Sequence, residues 1–279
     1  MTDYRKLAAA CGVASVALLA GTGAAVADGY ETHAPPPPPP QEEARKFTYS
    51  FNIAGTSDYV FRGISQNDND PTMQGGMDFA YGILYAGGWA SGINFDAIFN
   101  DADLEIDWYG GIKPTWGIAT FDFGAIYYSY PNAGYQIEPP FGFDLNYWEL
   151  KAGVSGTIHK DLALGLIVYY SPDYFAQTGS VWTVEGSGGY TFHAVGPFTP
   201  SITGVVGYQD GQDAYYEAWN GFDHYWYFNG GLVLAVEKIS FDFRYWGTAD
   251  AKNAVSEVFS CINNYCDDRF VFTVKVALP

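Results

Sequence analysis

From Phe47 onward, apolar and polar residues alternate with a period of two over segments of about ten residues. Successive side chains of a β-strand point to opposite faces, so each segment predicts a strand with one apolar face and one polar or small face. One clear case runs Ile239, Ser240, Phe241, Asp242, Phe243, Arg244. The pattern predicts twelve strands, at residues 46–55, 72–83, 87–97, 103–112, 117–128, 146–156, 161–170, 181–192, 199–208, 223–235, 239–247 and 268–278.

The connections between these segments alternate between short and long. The short ones lie at residues 84–86, 113–116, 159–160, 193–197 and 237–238, and the mostly long ones at 56–71, 98–102, 129–145, 171–180, 209–222 and 248–267. Short turns at one end and longer loops at the other are typical of outer-membrane barrels. A soluble β-sandwich shows the same alternation along its strands, but not this alternation of loop length. We therefore predict an all-β fold, a transmembrane antiparallel up-and-down β-barrel of about 12 strands over residues 46–279, with short periplasmic turns and longer extracellular loops.

Aromatic residues are concentrated where the predicted strands meet the long loops. They are Tyr127, Tyr128, Tyr147, Trp148, Tyr169, Tyr170, Trp182, Tyr208, Tyr225, Trp226, Tyr227, Tyr245 and Trp246. Rings that are apolar in body and polar at the tip gather at membrane–water interfaces. The sequence therefore predicts an aromatic girdle at the loop end of the barrel.

The first 45 residues differ from the rest and predict export. Arg5 and Lys6 precede an apolar and small-residue run that ends in Ala25-Val26-Ala27, which is the pattern of a secretory signal peptide over residues 1–27. A transmembrane anchor is the competing interpretation, but the apolar run is short and interrupted by glycine. Six consecutive prolines, 35–40, predict a stiff polyproline II spacer in a periplasmic leader over residues 28–45. The predicted location is the outer membrane of a Gram-negative cell.

Composition narrows the possible functions. Acidic residues outnumber basic ones 31 to 13, which argues against nucleic-acid binding because phosphate contacts need Lys and Arg. The four histidines lie in the leader, in short turns or at one strand mouth, and no G-x-S-x-G element accompanies them, so no enzyme is predicted. The acidic run Asp68-Asn69-Asp70 lacks the Gly and distal Glu of a calcium loop, and we predict neither a metal site nor a cofactor.

Two cysteines remain after removal of the signal peptide. Cys261 and Cys266 are close together in a polar loop of an exported chain, which favours a disulfide. A metal-binding pair is the alternative, but no second Cys or His pair lies nearby.

The first long loop carries the most distinctive motif. The stretch TSDYVFRGISQ contains Thr56, Ser57, Asp58, Tyr59, Phe61, Arg62 and Gly63, and Gln74-Gly75-Gly76 and the segment 85–91 follow it. These residues resemble the TorF family of porins, also described as the Gcw_chp family of proteobacteria, over essentially the whole chain. The resemblance implies an outer-membrane barrel with a channel role, without catalytic residues. Two roles for Asp58 and Arg62 stay open: a constriction or gate, or a structural loop in which Arg62 pairs with a carboxylate.

The polar faces of the strands indicate what the barrel encloses. The residues predicted to line the pore are Asp78, Asp96, Glu105, Asp107, Asp122, Glu149, Lys151, Glu185, Asp242 and Arg244. With Arg269 and Lys275 added, eight acids face four bases, which predicts a weak preference for cations. The sequence thus predicts a porin for passive diffusion of small hydrophilic solutes or cations, embedded in outer-membrane lipid. The alternative is a plugged structural or surface-binding barrel in which these charges only pair with one another.

Overall fold

The structure is a computed structural model that describes residues 47–94, 102–131, 133, 144–251, 261 and 264–278. Twelve long strands form the barrel: β1 Phe47–Thr56, β2 Thr72–Tyr81, β3 Leu84–Gly92, β4 Leu104–Ile112, β5 Ala119–Ser129, β6 Tyr147–His159, β7 Leu162–Ser171, β8 Val181–Thr191, β9 Thr199–Gly211, β10 His224–Val236, β11 Ile239–Ala249 and β12 Arg269–Leu278. The predicted signal peptide and leader lie outside the described residues.

Each long strand pairs antiparallel with its neighbours in sequence, and β1 pairs with β12 to close the sheet. In that closing pair Ile53 lies opposite Val276 and Thr56 lies opposite Thr273. The closed antiparallel barrel of twelve strands confirms the predicted fold class. Each of the twelve strands is hydrogen-bonded to a neighbour on both sides, so the sheet has no free edge.

The strand bounds follow the alternation closely, and β3 departs from it most. Residues 84–86 were expected to be a turn, whereas β3 begins at Leu84 and the turn is the pair Gly82 and Ile83. Gly82 has φ 61°, a conformation that glycine adopts at no steric cost, which allows a two-residue hairpin here. The predicted turn began too late in the sequence: Leu84, Tyr85 and Ala86 already pair with Tyr81, Ala80 and Phe79 in the ladder.

The outside of the barrel is a belt of exposed apolar side chains. It includes Phe51, Ile53, Met77, Trp108, Phe123, Leu150, Leu164, Leu166, Val184, Ile202, Val206, Leu232, Phe243 and Phe272. A continuous belt of this kind is the surface that a barrel presents to lipid. Among the described residues, no helix is long and apolar enough to cross a membrane.

The aromatic residues at the loop end divide between the two faces. Trp148, Trp182 and Trp226 are exposed on the outside, as a girdle requires. The girdle prediction was wrong for six others, which are buried inside the barrel: Tyr128, Tyr147, Tyr169, Tyr225, Tyr227 and Trp246. The reason is the period of two itself, since adjacent residues of a strand face opposite ways.

The interior therefore differs between the two ends of the barrel. Near the long loops it is packed with aromatic side chains, over which lie a 3-10 turn at Phe175–Gln177 and the short helix α1 Ala214–Asn220. We call this the loop-side half. Near the short turns the inward side chains, such as Ser50, Asp78 and Lys275, are only half-buried. We call this the turn-side half.

Candidate functional site

The first long loop, residues 57–71 and hereafter loop 1, folds into the lumen. Val60–Phe61 pairs with Ile64–Ser65 as a small hairpin whose turn is formed by Arg62 and Gly63. Gly63 has φ 85°, and a Cβ added there would lie 2.6 Å from Cγ2 of Thr248 and 2.9 Å from Cβ of Tyr227. Only glycine fits this turn against the barrel wall, so the hairpin is held at a close approach.

The hairpin carries the Arg62 guanidinium into the centre of the loop-side half. Its Nη1 and Nη2 atoms each donate a 2.8 Å hydrogen bond to Glu149, one to each carboxylate oxygen. Nη1 also donates to Oε1 of Gln209 at 3.2 Å, and the guanidinium carbon lies 4.8 Å from the centre of the Tyr169 ring. Arg62 is only 1% exposed. A buried, two-pronged Arg–carboxylate contact is among the strongest polar contacts in proteins.

Further polar groups fix the partners of Arg62. Tyr128 donates to Oε2 of Glu149 at 3.0 Å, so the carboxylate holds three donors. The Gln209 amide donates to the Tyr216 hydroxyl at 2.8 Å, and its oxygen accepts from Thr183. Glu185, also buried, accepts from the Tyr227 hydroxyl. These contacts lock the side chains that surround the guanidinium.

A second contact ties the base of loop 1 to the barrel. Asp58 accepts hydrogen bonds from Ser65 Oγ at 2.8 Å and from Arg269 Nη1 at 2.9 Å. The Ser65 amide donates to the carbonyl of Tyr265, beside the disulfide that joins Cys261 to Cys266. The predicted disulfide is therefore present, and it closes the segment on which loop 1 rests.

A third contact lies against β4. The Tyr59 hydroxyl donates to Glu105 at 2.8 Å, and its ring packs edge-on against Trp89. Burial, together with the negative charge of Glu105 and Asp107, raises the pKa of Tyr59 well above its usual value. Burial likewise raises the pKa of Tyr174, in the loop above, to about 12. Tyr59 thus remains a protonated donor to Glu105 at neutral pH.

The turn-side half has a looser set of charges. Asp122 accepts from the Tyr85 hydroxyl at 2.7 Å and pairs with Lys151 at 3.1 Å and Lys113 at 3.7 Å. On the adjoining wall the Tyr109 hydroxyl donates to Asp78 at 2.6 Å. Each acid here has a donor within reach, and apart from the buried Lys151 the side chains are only half-buried.

Between the two halves, β11 contributes its own ion pair. Arg244 donates from Nη2 to Asp242 at 2.9 Å and to Thr203 at 2.8 Å, and from Nη1 to Asn229 at 2.6 Å. These contacts hold the guanidinium against the wall of the lumen and leave little of it exposed.

The predicted pore residues therefore fall into two groups. Glu105, Asp107, Glu149 and Glu185 lie buried in the loop-side half, whereas Asp78, Asp122, Lys151, Asp242 and Arg244 lie towards the turns or at mid-height. Asp96 is outside the described residues. In the described part of the chain, no three His, Cys, Asp or Glu side chains are placed to hold a metal ion.

Sequence reasoning missed several residues that form the site. Tyr128, Tyr169 and Tyr227 were assigned to the outer girdle, and Gln209 was assigned to a loop although it lies within β9. Strict use of the alternation would have found Tyr128 and Tyr169, because they lie opposite the inward charged residues Asp107 and Lys151 of the neighbouring strands. Tyr227 lies opposite Gly207 and Thr248, so no charged neighbour marks it as inward. Nothing in the sequence marks Gln209 as a partner of Arg62.

Residues 40–278 match the family described as "Bacterial protein of unknown function (Gcw_chp)". The chain belongs to the Gcw_chp family. Among solved structures, this family member is similar to the NanC porin, with a TM-score of 0.50, 11% identity and coverage of 82% of this chain and 99% of that one. It is also similar to the KdgM porin, with a TM-score of 0.51, 8% identity and coverage of 82% and 98%. One KdgM structure is described as a complex with disordered oligogalacturonate.

At such identities the likeness concerns the fold. Both neighbours are porins, so the Gcw_chp chain has a porin-like barrel. A comparison with curated protein sequences finds no match.

Proposed function

We propose that this protein is an outer-membrane porin through which small hydrophilic solutes diffuse passively, and that loop 1 closes the loop-side half of the lumen in the described state. The observation that carries the proposal is the closed barrel of twelve strands with an apolar outside and a polar inside. The porin fold of NanC and KdgM supports it. The signal peptide, the leader, the TorF resemblance and the absence of catalysis and cofactors belong to the same proposal.

The turn-side half suits a hydrophilic solute without strong charge selection. Its acids Asp78 and Asp122 are accompanied by Lys113, Lys151 and Lys275, and the Asp242–Arg244 ion pair lies next to them at mid-height. A hydrophilic solute would meet both hydrogen-bond donors and acceptors on this wall.

A weak cation preference would come from the loop-side half. Glu105, Asp107, Glu149 and Glu185 are concentrated there, and with loop 1 withdrawn they would face the solute path. A ring of carboxylates in a narrow lumen raises the local concentration of cations. The preference therefore depends on where the acids lie, and not only on how many there are.

Planar-bilayer recordings in asymmetric KCl test the proposal. We expect brief conductance steps from the wild-type protein and longer ones from Arg62→Ala. The reversal potential of both should indicate a preference for K⁺ over Cl⁻. Asp107→Asn should reduce that selectivity more than Asp122→Asn, because Lys151 and Lys113 already offset the charge of Asp122. Both variants remove one negative charge, so a difference between them reports the position of the charge and not the number of charges.

Absence of conductance steps from both the wild type and Arg62→Ala, with insertion verified by antibody labelling, would contradict the porin function. It would favour the second candidate, a plugged structural or surface-binding barrel. The observation on its side is the burial of Arg62 and of the aromatic residues around it.

A further inference from the structure

The side chains around Arg62 form a pocket on the barrel wall. We call it the Arg62 pocket and define it by Glu149, Tyr169, Glu185 and Gln209, which belong to β6, β7, β8 and β9. These four strands are consecutive in the sheet, and their ladders are continuous at these positions. The pocket is therefore a property of the barrel, and it persists when loop 1 moves away.

The geometry of this pocket matches a planar guanidinium group. Glu149 accepts from both terminal nitrogens at 2.8 Å, Gln209 supplies a third acceptor at 3.2 Å, and the Tyr169 ring lies 4.8 Å away. An ammonium ion presents a single charged point and cannot satisfy a carboxylate fork and an aromatic face at once. The pocket thus distinguishes guanidinium from ammonium by shape.

The charges of the pocket require a cation. Glu149 and Glu185 are both buried and both interact electrostatically with Arg62. Withdrawal of loop 1 would leave two neighbouring carboxylates without the guanidinium that offsets their charge, which is unfavourable. A cation of the same shape that takes the place of Arg62 therefore favours the release of loop 1.

We propose that the Arg62 pocket is a binding site for guanidinium-bearing solutes, that Arg62 occupies it as an internal competitor, and that such a solute releases loop 1 when it takes the pocket. The solute binds during a transient withdrawal of loop 1 and shifts the population towards the released state. The binding step follows from the pocket alone, whereas its effect on conductance rests on the proposed porin function.

Methylguanidinium is the probe, and methylammonium is the control of equal charge. In the Arg62→Ala protein, purified from membranes in detergent, calorimetric titration should show saturable binding of methylguanidinium, about tenfold tighter than methylammonium, as expected when a two-pronged contact replaces a point charge. The double variant Arg62→Ala/Glu149→Gln should lose this preference. Equal binding of the two probes, or a preference that survives Glu149→Gln, would overturn the proposal.

A second measurement uses the wild type and does not depend on how well the variants fold. Methylguanidinium should accelerate amide hydrogen exchange of the peptide spanning loop 1, and methylammonium at the same concentration should not. Exchange that is unaffected by both probes would overturn the release step.

The same wild-type protein in a bilayer separates this inference from the proposed function. Binding and faster exchange without conductance would support the binding site and contradict the porin function. Conductance that is insensitive to methylguanidinium, together with no binding, would support the porin function and contradict the binding site.

Discussion

The two halves of the lumen are built from the same strands but hold their charges in different ways. In the loop-side half, Arg62 and Glu149 are buried together and joined by two hydrogen bonds. In the turn-side half, Asp122 and Lys113 lie 3.7 Å apart and are partly exposed. The difference comes from loop 1, which fills one half and does not reach the other. A barrel of one strand pattern can therefore contain both a packed core and a region of half-buried polar side chains.

This difference in burial determines how much the loss of each charged side chain should change the stability of the barrel. An exposed pair is screened by water and salt and contributes little to stability. A buried pair contributes little net stability as a pair, but the loss of one partner leaves an uncompensated charge in a desolvated site. Substitutions should therefore act strongly in the loop-side half and weakly in the turn-side half.

The largest effect is expected when Glu149 is removed. Glu149→Ala leaves the Arg62 guanidinium buried without its carboxylate, and we expect the free energy of unfolding to fall by about 3–5 kcal/mol. Glu237→Ala, at an exposed short turn, is the matched control and should change it by less than about 0.5 kcal/mol. Denaturant titration of the refolded barrel, followed by gel mobility, measures both. Similar losses for the two variants would mean that the burial of Glu149 against Arg62 does not determine the cost of its removal.

A smaller effect is expected from adding one methyl group at a tight turn. Gly63→Ala forces a Cβ to within 2.6 Å of Thr248 and requires φ near 85°, so both contact and backbone oppose it. Gly117, in a short turn with φ 61°, has nothing within 4 Å of its Cβ position. We expect a loss of about 2–4 kcal/mol for Gly63→Ala and about 1 kcal/mol for Gly117→Ala, whose cost is the backbone alone.

Conductance gives Gly63→Ala a second readout. If the added methyl group lifts the hairpin from the barrel wall, the variant should also open more often than the wild type in a bilayer. Equal stability losses for the two glycine variants, with unchanged opening, would show that loop 1 is not held at this contact.

The alternation of apolar and polar residues was enough to predict the barrel, because the faces of a strand depend only on parity. Parity also brings Glu149 and Asp122 into the lumen. It does not say what else enters the lumen. The insertion of loop 1 depends on the approach of Gly63 to Thr248 and on the pairing of Arg62 with Gln209 and Glu149, and these residues are far apart in sequence. Contacts of that kind leave no local pattern.

The same limit explains the error over the aromatic girdle. Tyr127 and Tyr128 are equivalent in composition and position, yet Tyr127 is exposed outside and Tyr128 is fully buried inside. Clustering by residue type ignores which face each ring occupies. The inward rings pack against loop 1, whose Phe61 lies edge-on against Tyr128.

The smallest expected effect concerns the pH dependence of the loop 1 attachment. Burial raises the pKa of the Asp58 carboxyl above its usual value of 3.8, and the hydrogen bonds from Arg269 and Ser65 oppose this only in part. A carboxyl whose pKa is higher in the folded protein favours folding below its unfolded pKa, and this contribution is lost as the pH rises through the folded value. Asp58→Asn keeps a neutral side chain at every pH. The unfolding free energy of the variant minus that of the wild type should therefore increase as the pH rises from about 4 to about 7. Denaturant titrations at several pH values measure this difference, and a difference that decreases over the same range would mean that the ion pair with Arg269 outweighs the burial of Asp58.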